Sequence, residues 1–381
     1  MLRCSILTIF LAFSLLAGAQ DWKVVRENPQ KAFPKTVAAG NYSGIAHLHD
    51  DIYAVVSDKS DSALYFNFRI LVNPKTGELE QVENLGFTER TDGTLNDGKP
   101  WQGQEKGFDH EAIVKVSDST LVIASEGYCR LKEYPILHTS ADAAKVGYQQ
   151  NLWESRWPSS EFYPNYNFES LAFDSVRQHL WTIPESTLRK DGQPATPQNG
   201  LANRLRLMRL DWGKIKENRN KEEYSEQVSS KKDSCYMTPY AYQMDQPSTH
   251  KKADIYVMGV SELCALPDGQ LLVLEREAFI PKIKIGAFCK CKLYQINPLN
   301  SEEFSMKEKF SSDTPFLKKR LLAEWKTGLS LSKRSFANYE GMCLGPKLED
   351  GSQVVILLSD SQDQYAGVLK DWFKTIVIRK E

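Results

Sequence analysis

Short alternations of apolar and polar residues, broken by Asp, Gly and Asn, run along almost the whole chain. A period of two marks half-buried strands and argues against helices. The clearest case is residues 109–126, DHEAIVKVSDSTLVIASE, in which two apolar strands flank a polar turn and carboxylates stand at both ends. The outline recurs at 41–58 (NYSGIAHLHDDIYAVVSD), 167–185 (NFESLAFDSVRQHLWTIPE), 260–276 (VSELCALPDGQLLVLER) and 338–360 (NYEGMCLGPKLEDGSQVVILLSD). Turn residues punctuate each one. The chain therefore holds five divergent copies of one hairpin.

Behind each copy stands further strand-like sequence, as in ALYFNFRILV, RLRLMRLDW, CKLYQINP and KTIVIRK, often with a fourth run such as GELEQVENL, YAYQMDQP or KRLLAEWK. Four antiparallel strands repeated every roughly 60 to 90 residues predict an all-β propeller, whose radial repetition protects sheet edges. The copies count five blades, with a sixth possible in 211–240 or 300–335. The first of these, with KIKENRNKEEYSEQVSSKKDS, is polar enough to read as an exposed insertion. Residues 89–107 read as another long surface loop. No fourth strand follows IVIRK, whereas DWKVVREN precedes the first copy, so the N-terminal segment is expected to complete the last blade. One propeller domain then spans 20–381.

Composition narrows the function. Of 381 residues, 41% are hydrophobic and 25% charged, enough for a large core, and 48 Lys and Arg against 49 Asp and Glu leave a formal charge of -1. Without a global basic field, nucleic-acid binding is not expected, and any charge-based function must be local. Residues 1–19, MLRCSILTIFLAFSLLAGA, combine Arg3, a short apolar run and small residues at the end, the pattern of a cleaved signal peptide. No later stretch is long and apolar enough to span a membrane. A secreted or periplasmic protein is expected, as a monomer. Six cysteines remain after cleavage at that point. Cys264 and Cys343 read as small buried hydrophobes. Cys289 and Cys291 point the same way on a strand and are not expected to bond each other, and Cys129 and Cys235 are possible partners.

In a hairpin, the start of the first strand and the end of the second share one edge. The opening residues Glu111, Glu169, Glu262 and Glu340, with Ser43 in the first copy, should meet the closing residues Asp58, Glu126, Glu185, Glu275 and Asp360 where inner strands line the propeller axis. Asn41, Asp109, Asn167 and Asn338 stand two positions before the opening residues, and Val260 breaks that pattern. So many carboxylates cannot ionise together unless cations join them or some pKa values rise. Oxygen-only donors in this number suit Ca²⁺, and few histidines argue against zinc. We assign Asp58, Asp109, Glu126, Glu185, Glu275 and Asp360 as candidate metal ligands, and Glu111, Glu169, Glu262, Glu340 and His110 as candidate catalytic groups. Lys59, Arg130 and Arg276 are candidate cations for an anionic substrate. The plainer alternative is that acids at strand ends bind backbone N–H groups or pair with Lys and Arg. The absence of G-x-S-x-G, H-E-x-x-H, P-loop and G-x-G-x-x-G motifs sets aside serine hydrolases, zinc proteases and nucleotide enzymes with signalled sites.

At NYSGIA with VVSD, DHEAI with IASEG, NFESLAF, VSELCALPDGQLLVLERE and NYEGMCLGPKLEDGSQVVILLSD, the chain resembles the secreted phytase-like family, described as having an esterase-like activity of phytase. The likeness covers nearly the whole mature chain. It implies a β-propeller that hydrolyses ester bonds, with looser kinship to calcium-dependent propeller phytases. Two departures stand out: Ser43 replaces an opening acid, and His110-Glu111-Ala112 replaces a more usual Glu-Gly pairing. The expected function is a secreted, calcium-dependent hydrolase of phosphate esters or related anionic esters. The alternatives are a propeller lactonase, and a non-catalytic, calcium-stabilised binding module for carbohydrate or an envelope partner. The aromatic run WESRWPSSEFYPNYNF at 153–168 supports the last by offering stacking surfaces, and reads equally as a packed loop between blades.

Overall fold

Five four-stranded antiparallel blades form the computed structural model, which describes residues 21–58, 65–87, 109–136, 152–219, 236–330, 334–362, 364 and 369–381. Blade 1 holds β3 (Tyr42–His49), β4 (Ile52–Ser57), β5 (Phe66–Val72) and β6 (Leu79–Phe87). Blade 2 holds β7 (His110–Lys115), β8 (Thr120–Ser125), β9 (Arg130–Pro135) and β10 (Glu154–Arg156). Blade 3 holds β11 (Phe168–Asp174), β12 (His179–Pro184), β13 (Arg204–Asp211) and β14 (Met237–Gln243). Blade 4 holds β15 (Ile255–Ala265), β16 (Leu271–Ile280), β17 (Phe288–Ile296) and β18 (Lys319–Gly328). Blade 5 combines β19 (Asn338–Lys347), β20 (Gln353–Asp360) and β21 (Trp372–Lys380) with β1 (Trp22–Glu27) from the other end of the chain. The two-residue β2 (Lys31–Ala32) also pairs with β21. The expected closure is thus present.

The first strands of the blades pack against one another in the cyclic order β3, β7, β11, β15, β19 and back to β3. Strand alternation sends one face of each blade into each neighbour, so the apolar residues fall into five layers between blades. Val55 and Val354, for instance, share the layer between blades 1 and 5. Leu274 and Val355 share that between blades 4 and 5.

The stretches considered for a sixth blade have other roles. One carries α1 (Trp212–Arg219) and leads into β14, and the other carries the connection into β18. Residues 214–219 of the stretch expected as an exposed insertion instead belong to α1, where Ile215 is buried, and its remainder at 220–234, like the loop at 89–107 and residues 1–20, lies outside the described residues. In the aromatic run, Trp153 is buried and meets Trp212 edge to face at 5.1 Å, while Phe162 and Phe168 are buried in the layer between blades 2 and 3. The packed-loop reading accounts for these rings. Cys129, Cys264, Cys289, Cys291 and Cys343 are buried free thiols, and Cys235 lies outside the described residues. Among the described residues, no helix is long and apolar enough to cross a membrane.

Candidate active site on the propeller axis

A β-bulge in every first strand builds the site, within the first three residues of β3, β7, β11 and β19 and at the seventh residue of the longer β15. Pairing skips one residue in each blade: Ser43 in β3, Glu111 in β7, Glu169 in β11, Ser261 in β15 and Glu340 in β19. A bulge leaves its extra residue out of the ladder and bends the strand, which re-aims side chains next to functional sites. Two positions earlier stand Asn41, Asp109, Asn167, Gly259 and Asn338. Asn41 and Asp109 adopt the left-handed conformation that Asn and Asp tolerate, with φ of 47° and 51°. Their carbonyls, and that of Asn167, accept the N–H of the closing residue: Asp58 at 3.2 Å, Glu126 at 2.8 Å and Glu185 at 2.7 Å. In blades 4 and 5 the corresponding pairs are Gly259 with Arg276 and Asn338 with Asp360.

The register corrects the equivalences drawn from sequence in the fourth copy. Ser261 and Arg276 occupy the ring positions there, while Glu262 and Glu275 lie one residue off. Glu275 is buried in a separate network between blades 3 and 4. It accepts the Tyr242 hydroxyl at 2.6 Å and Lys319 Nζ at 2.7 Å, and Lys319 also pairs with Asp245 at 2.9 Å. Glu262 lies among the first strands, where its Oε1 accepts the N–H of Leu171 and of Leu263, each at 2.9 Å. Burial raises its pKa well above the carboxylate range, against those N–H groups and that of Met342. Its Oε2 has no hydrogen-bond partner among the described residues.

Arg276 is the organising cation. Its Nη2 donates to Glu169 Oε2 at 3.0 Å and Glu185 Oε1 at 2.7 Å, and its Nη1 to Asn338 Oδ1 at 3.0 Å and to Glu340. One guanidinium thus ties blades 3, 4 and 5 together. Gly259 makes room for this, because a Cβ there would collide with Glu185 Cγ and stand 2.6 Å from the Glu185 carbonyl oxygen. Burial first, then neighbouring acids, hold Glu169 and Glu340 well above the usual carboxylate range despite Arg276.

Across the ring the acids gather without that guanidinium. Carboxylate oxygens of Asp58, Asp109 and Glu111 lie within 4.8 Å of one another. Burial raises the Glu111 pKa well above its ordinary value, and Glu340, Asp58, Glu126 and Asp109 push it further. Glu126 is driven up to about 7 by burial, then by Asp109 and Glu185. Asp360 adjoins Glu340 and also raises its pKa.

The remaining candidates divide. His110 is buried, with Nδ1 2.9 Å from the Ser125 hydroxyl, and burial, then Arg130, lowers its pKa to about 3. Arg130 is buried within blade 2, with its guanidinium 4.6 Å from the Tyr128 ring and 3.9 Å from Glu154. Lys59 lies outside the described residues. The structure therefore brings together Asp58, Asp109, Glu111, Glu126, Glu169, Glu185, Glu340, Asp360 and Arg276, and adds Asn338. The signal for Asn338 was present in the Asn-x-Glu spacing of the third and fifth copies.

Comparison with known proteins gives a family and distantly similar structures. No curated protein matches the chain. Among solved structures, an engineered GH43 glycoside hydrolase with endo-xylanase and exo-arabinofuranosidase activity is similar at 10% identity and a TM-score of 0.36. The match covers 93% of this chain and 52% of that one, so the chain spans about half its length. A catalytically inactive virginiamycin B lyase from Staphylococcus aureus, solved with quinupristin, is similar at 8% identity and a TM-score of 0.33, over 91% of this chain and 99% of that one. The family model Phytase-like, esterase-like activity of phytase, matches residues 37–362. With its five bulged hairpins all within or opening beside that span, the chain belongs to the phytase-like family.

Proposed function

We propose that the chain is a secreted, calcium-dependent hydrolase of phosphate esters or related anionic esters, with its active site at the axial mouth. The observation that carries this reading is the convergence of Asp58, Asp109 and Glu111 oxygens within 4.8 Å. The donors are all carboxylates and come from two blades; burial, then neighbouring acids, raises the pKa of Glu111 among them and of Glu126 beside them. That chemistry fits a hard divalent cation with oxygen ligands, and Ca²⁺ tolerates the loose geometry of side chains from separate strands.

When bound, calcium would neutralise an anionic ester and increase the acidity of a water at the site. The chain's own groups supply the rest. Arg276 is engaged by three glutamates and Asn338, so it holds the ring in shape and keeps Glu169, Glu185 and Glu340 facing the axis. Glu126, with a pKa of about 7 in the metal-free chain, is suited to exchange a proton near neutral pH. His110 is held neutral by burial and supports β7 against β8 through Ser125. We therefore favour Glu126 over His110 as the proton-transfer group, with Glu111 at the cation.

The test pairs calcium calorimetry of the EDTA-stripped protein with phosphate release from phytate and p-nitrophenyl phosphate. Binding together with calcium-dependent release supports the proposal. Binding without release removes phosphate esters from it, and the absence of binding returns the carboxylates to a structural role. Glu111→Gln should weaken calcium binding while leaving the folded circular-dichroism spectrum unchanged.

A further inference from the structure

Beyond the ring, blade 4 rises into a tip of unusual composition. Arg276 stands at ring level opposite Gly259, and β16 continues four residues further to Ile280. At about 3.3 Å per residue this lifts its end roughly 13 Å past the Arg276 backbone. Segments 249–255 and 281–286 meet there, joined by the Ile255–Ile280 pair and by the Asp254 N–H donating to the Ile280 carbonyl at 2.9 Å. Together they carry four lysines (Lys251, Lys252, Lys282 and Lys284) and one acid, Asp254, in a chain whose overall charge is near zero. Between the lysines, Ile283 is 75% exposed, Ile285 48% and Ile255 52%.

The tip is a built element. The Lys284 N–H donates to the Pro281 carbonyl at 2.8 Å, that of Ile285 to Ile283 at 2.7 Å, that of Ala287 to Lys284 at 3.1 Å, and that of Gly286 to Leu329 at 2.8 Å. Below it, Phe279 and Phe288 stack at 5.2 Å, and Lys326 covers Phe288 at 3.6 Å. With the N–H groups of Lys284, Ile285 and Gly286 bonded within the protein, those three donors can approach an apolar interface without being left unpaired. Exposed isoleucines ringed by lysines match the two layers of an anionic bilayer surface, acyl boundary and headgroup. An acidic protein would account for the lysines and leave the isoleucines unexplained.

We propose that the blade 4 tip docks the protein on anionic lipid surfaces, with Ile283, Ile285 and Ile255 entering the headgroup–acyl boundary and the four lysines meeting the headgroups. Because the tip and the mouth share one face, docking turns the mouth toward the surface. The proposal does not depend on the chemistry of the mouth.

Sedimentation of the purified protein with phosphatidylcholine vesicles, with and without phosphatidylglycerol, tests it. Binding is expected only to the anionic vesicles and should weaken with salt. Ile283→Ser with Ile285→Ser should lower the partition constant about tenfold or more. Lys282→Glu with Lys284→Glu should do likewise, most strongly at low salt. Val176, 73% exposed in the β11–β12 turn on the opposite face, provides the control, and Val176→Ser should bind as the parent does. Circular dichroism checks the fold of each variant. Failure to bind anionic vesicles overturns the proposal, as does binding that survives loss of the isoleucines, which would mark an electrostatic surface for an acidic protein.

Discussion

At the scale of single residues, the mouth is governed by one cation among many acids. Arg276 is buried, and removing one partner of such a network strands the others, at a cost of about 3 to 5 kcal/mol. Arg276→Met should therefore lower the urea midpoint of the metal-free protein, with part of the loss recovered on adding calcium. An unchanged midpoint would show that Glu169, Glu185 and Glu340 do not depend on it. Glu126 gives a pH signature of definite sign. Its folded pKa of about 7 lies above that of an ordinary carboxylate, so the folded state holds the proton longer. The associated stability is present below the unfolded pKa of about 4.3 and is lost as pH rises through 7. His110, lowered to about 3, acts oppositely and costs stability as pH falls below about 6.5. The difference between parent and Glu126→Gln isolates the first effect. In EDTA, parent Tm minus variant Tm should decline from pH 5 to pH 8, and a flat difference would contradict the raised pKa.

At the scale of elements, the hairpins were legible because period-two alternation, turn residues and terminal acids coincide in each of the five copies. The bulge was not. An extra residue within a strand leaves the alternation beyond it intact, so VSEL offers Ser261 and Glu262 as equally good ring residues. What decides between them is three-dimensional: Gly259 lies against Glu185, and its own pairing with Arg276 puts Ser261 at the bulge. The same one-residue shift moved Glu275 out of the ring and left Arg276 in its place. Gly259→Ala tests this directly. The added methyl meets both the side chain and the carbonyl of Glu185, and overpacking of this kind costs about 1 to 3 kcal/mol. We expect a lower denaturation midpoint together with weaker calcium binding, since Glu185 must leave Arg276. A fully neutral substitution would mean that this contact does not hold the ring.

At the scale of the whole molecule, the mouth exists only because the ring closes, and the closure joins the two ends of the chain. That much was legible from a last blade short of one strand and an unassigned strand before the first. The side-chain fastening was not, since it depends on which residues face across blades. Trp22 pairs within blade 5, and its indole Nε1 also donates to Asp268 Oδ2 of the β15–β16 turn at 2.8 Å. Its backbone N–H donates to Gln295 Oε1 in blade 4 at 3.2 Å, so β1 bolts blade 5 to blade 4. Trp22→Ala removes a buried ring from the layer between those blades and should cost about 3 to 5 kcal/mol. Arg276 in blade 4 and Glu340 in blade 5 cross the same interface, so loosening it should also weaken calcium binding, although Trp22 is far from the acids in sequence and contributes no ligand. Urea unfolding and calcium calorimetry on one sample distinguish the outcomes. A lower midpoint with unchanged calcium affinity would mean that the mouth is set by its inner strands alone, whereas a joint loss makes ring closure part of the site.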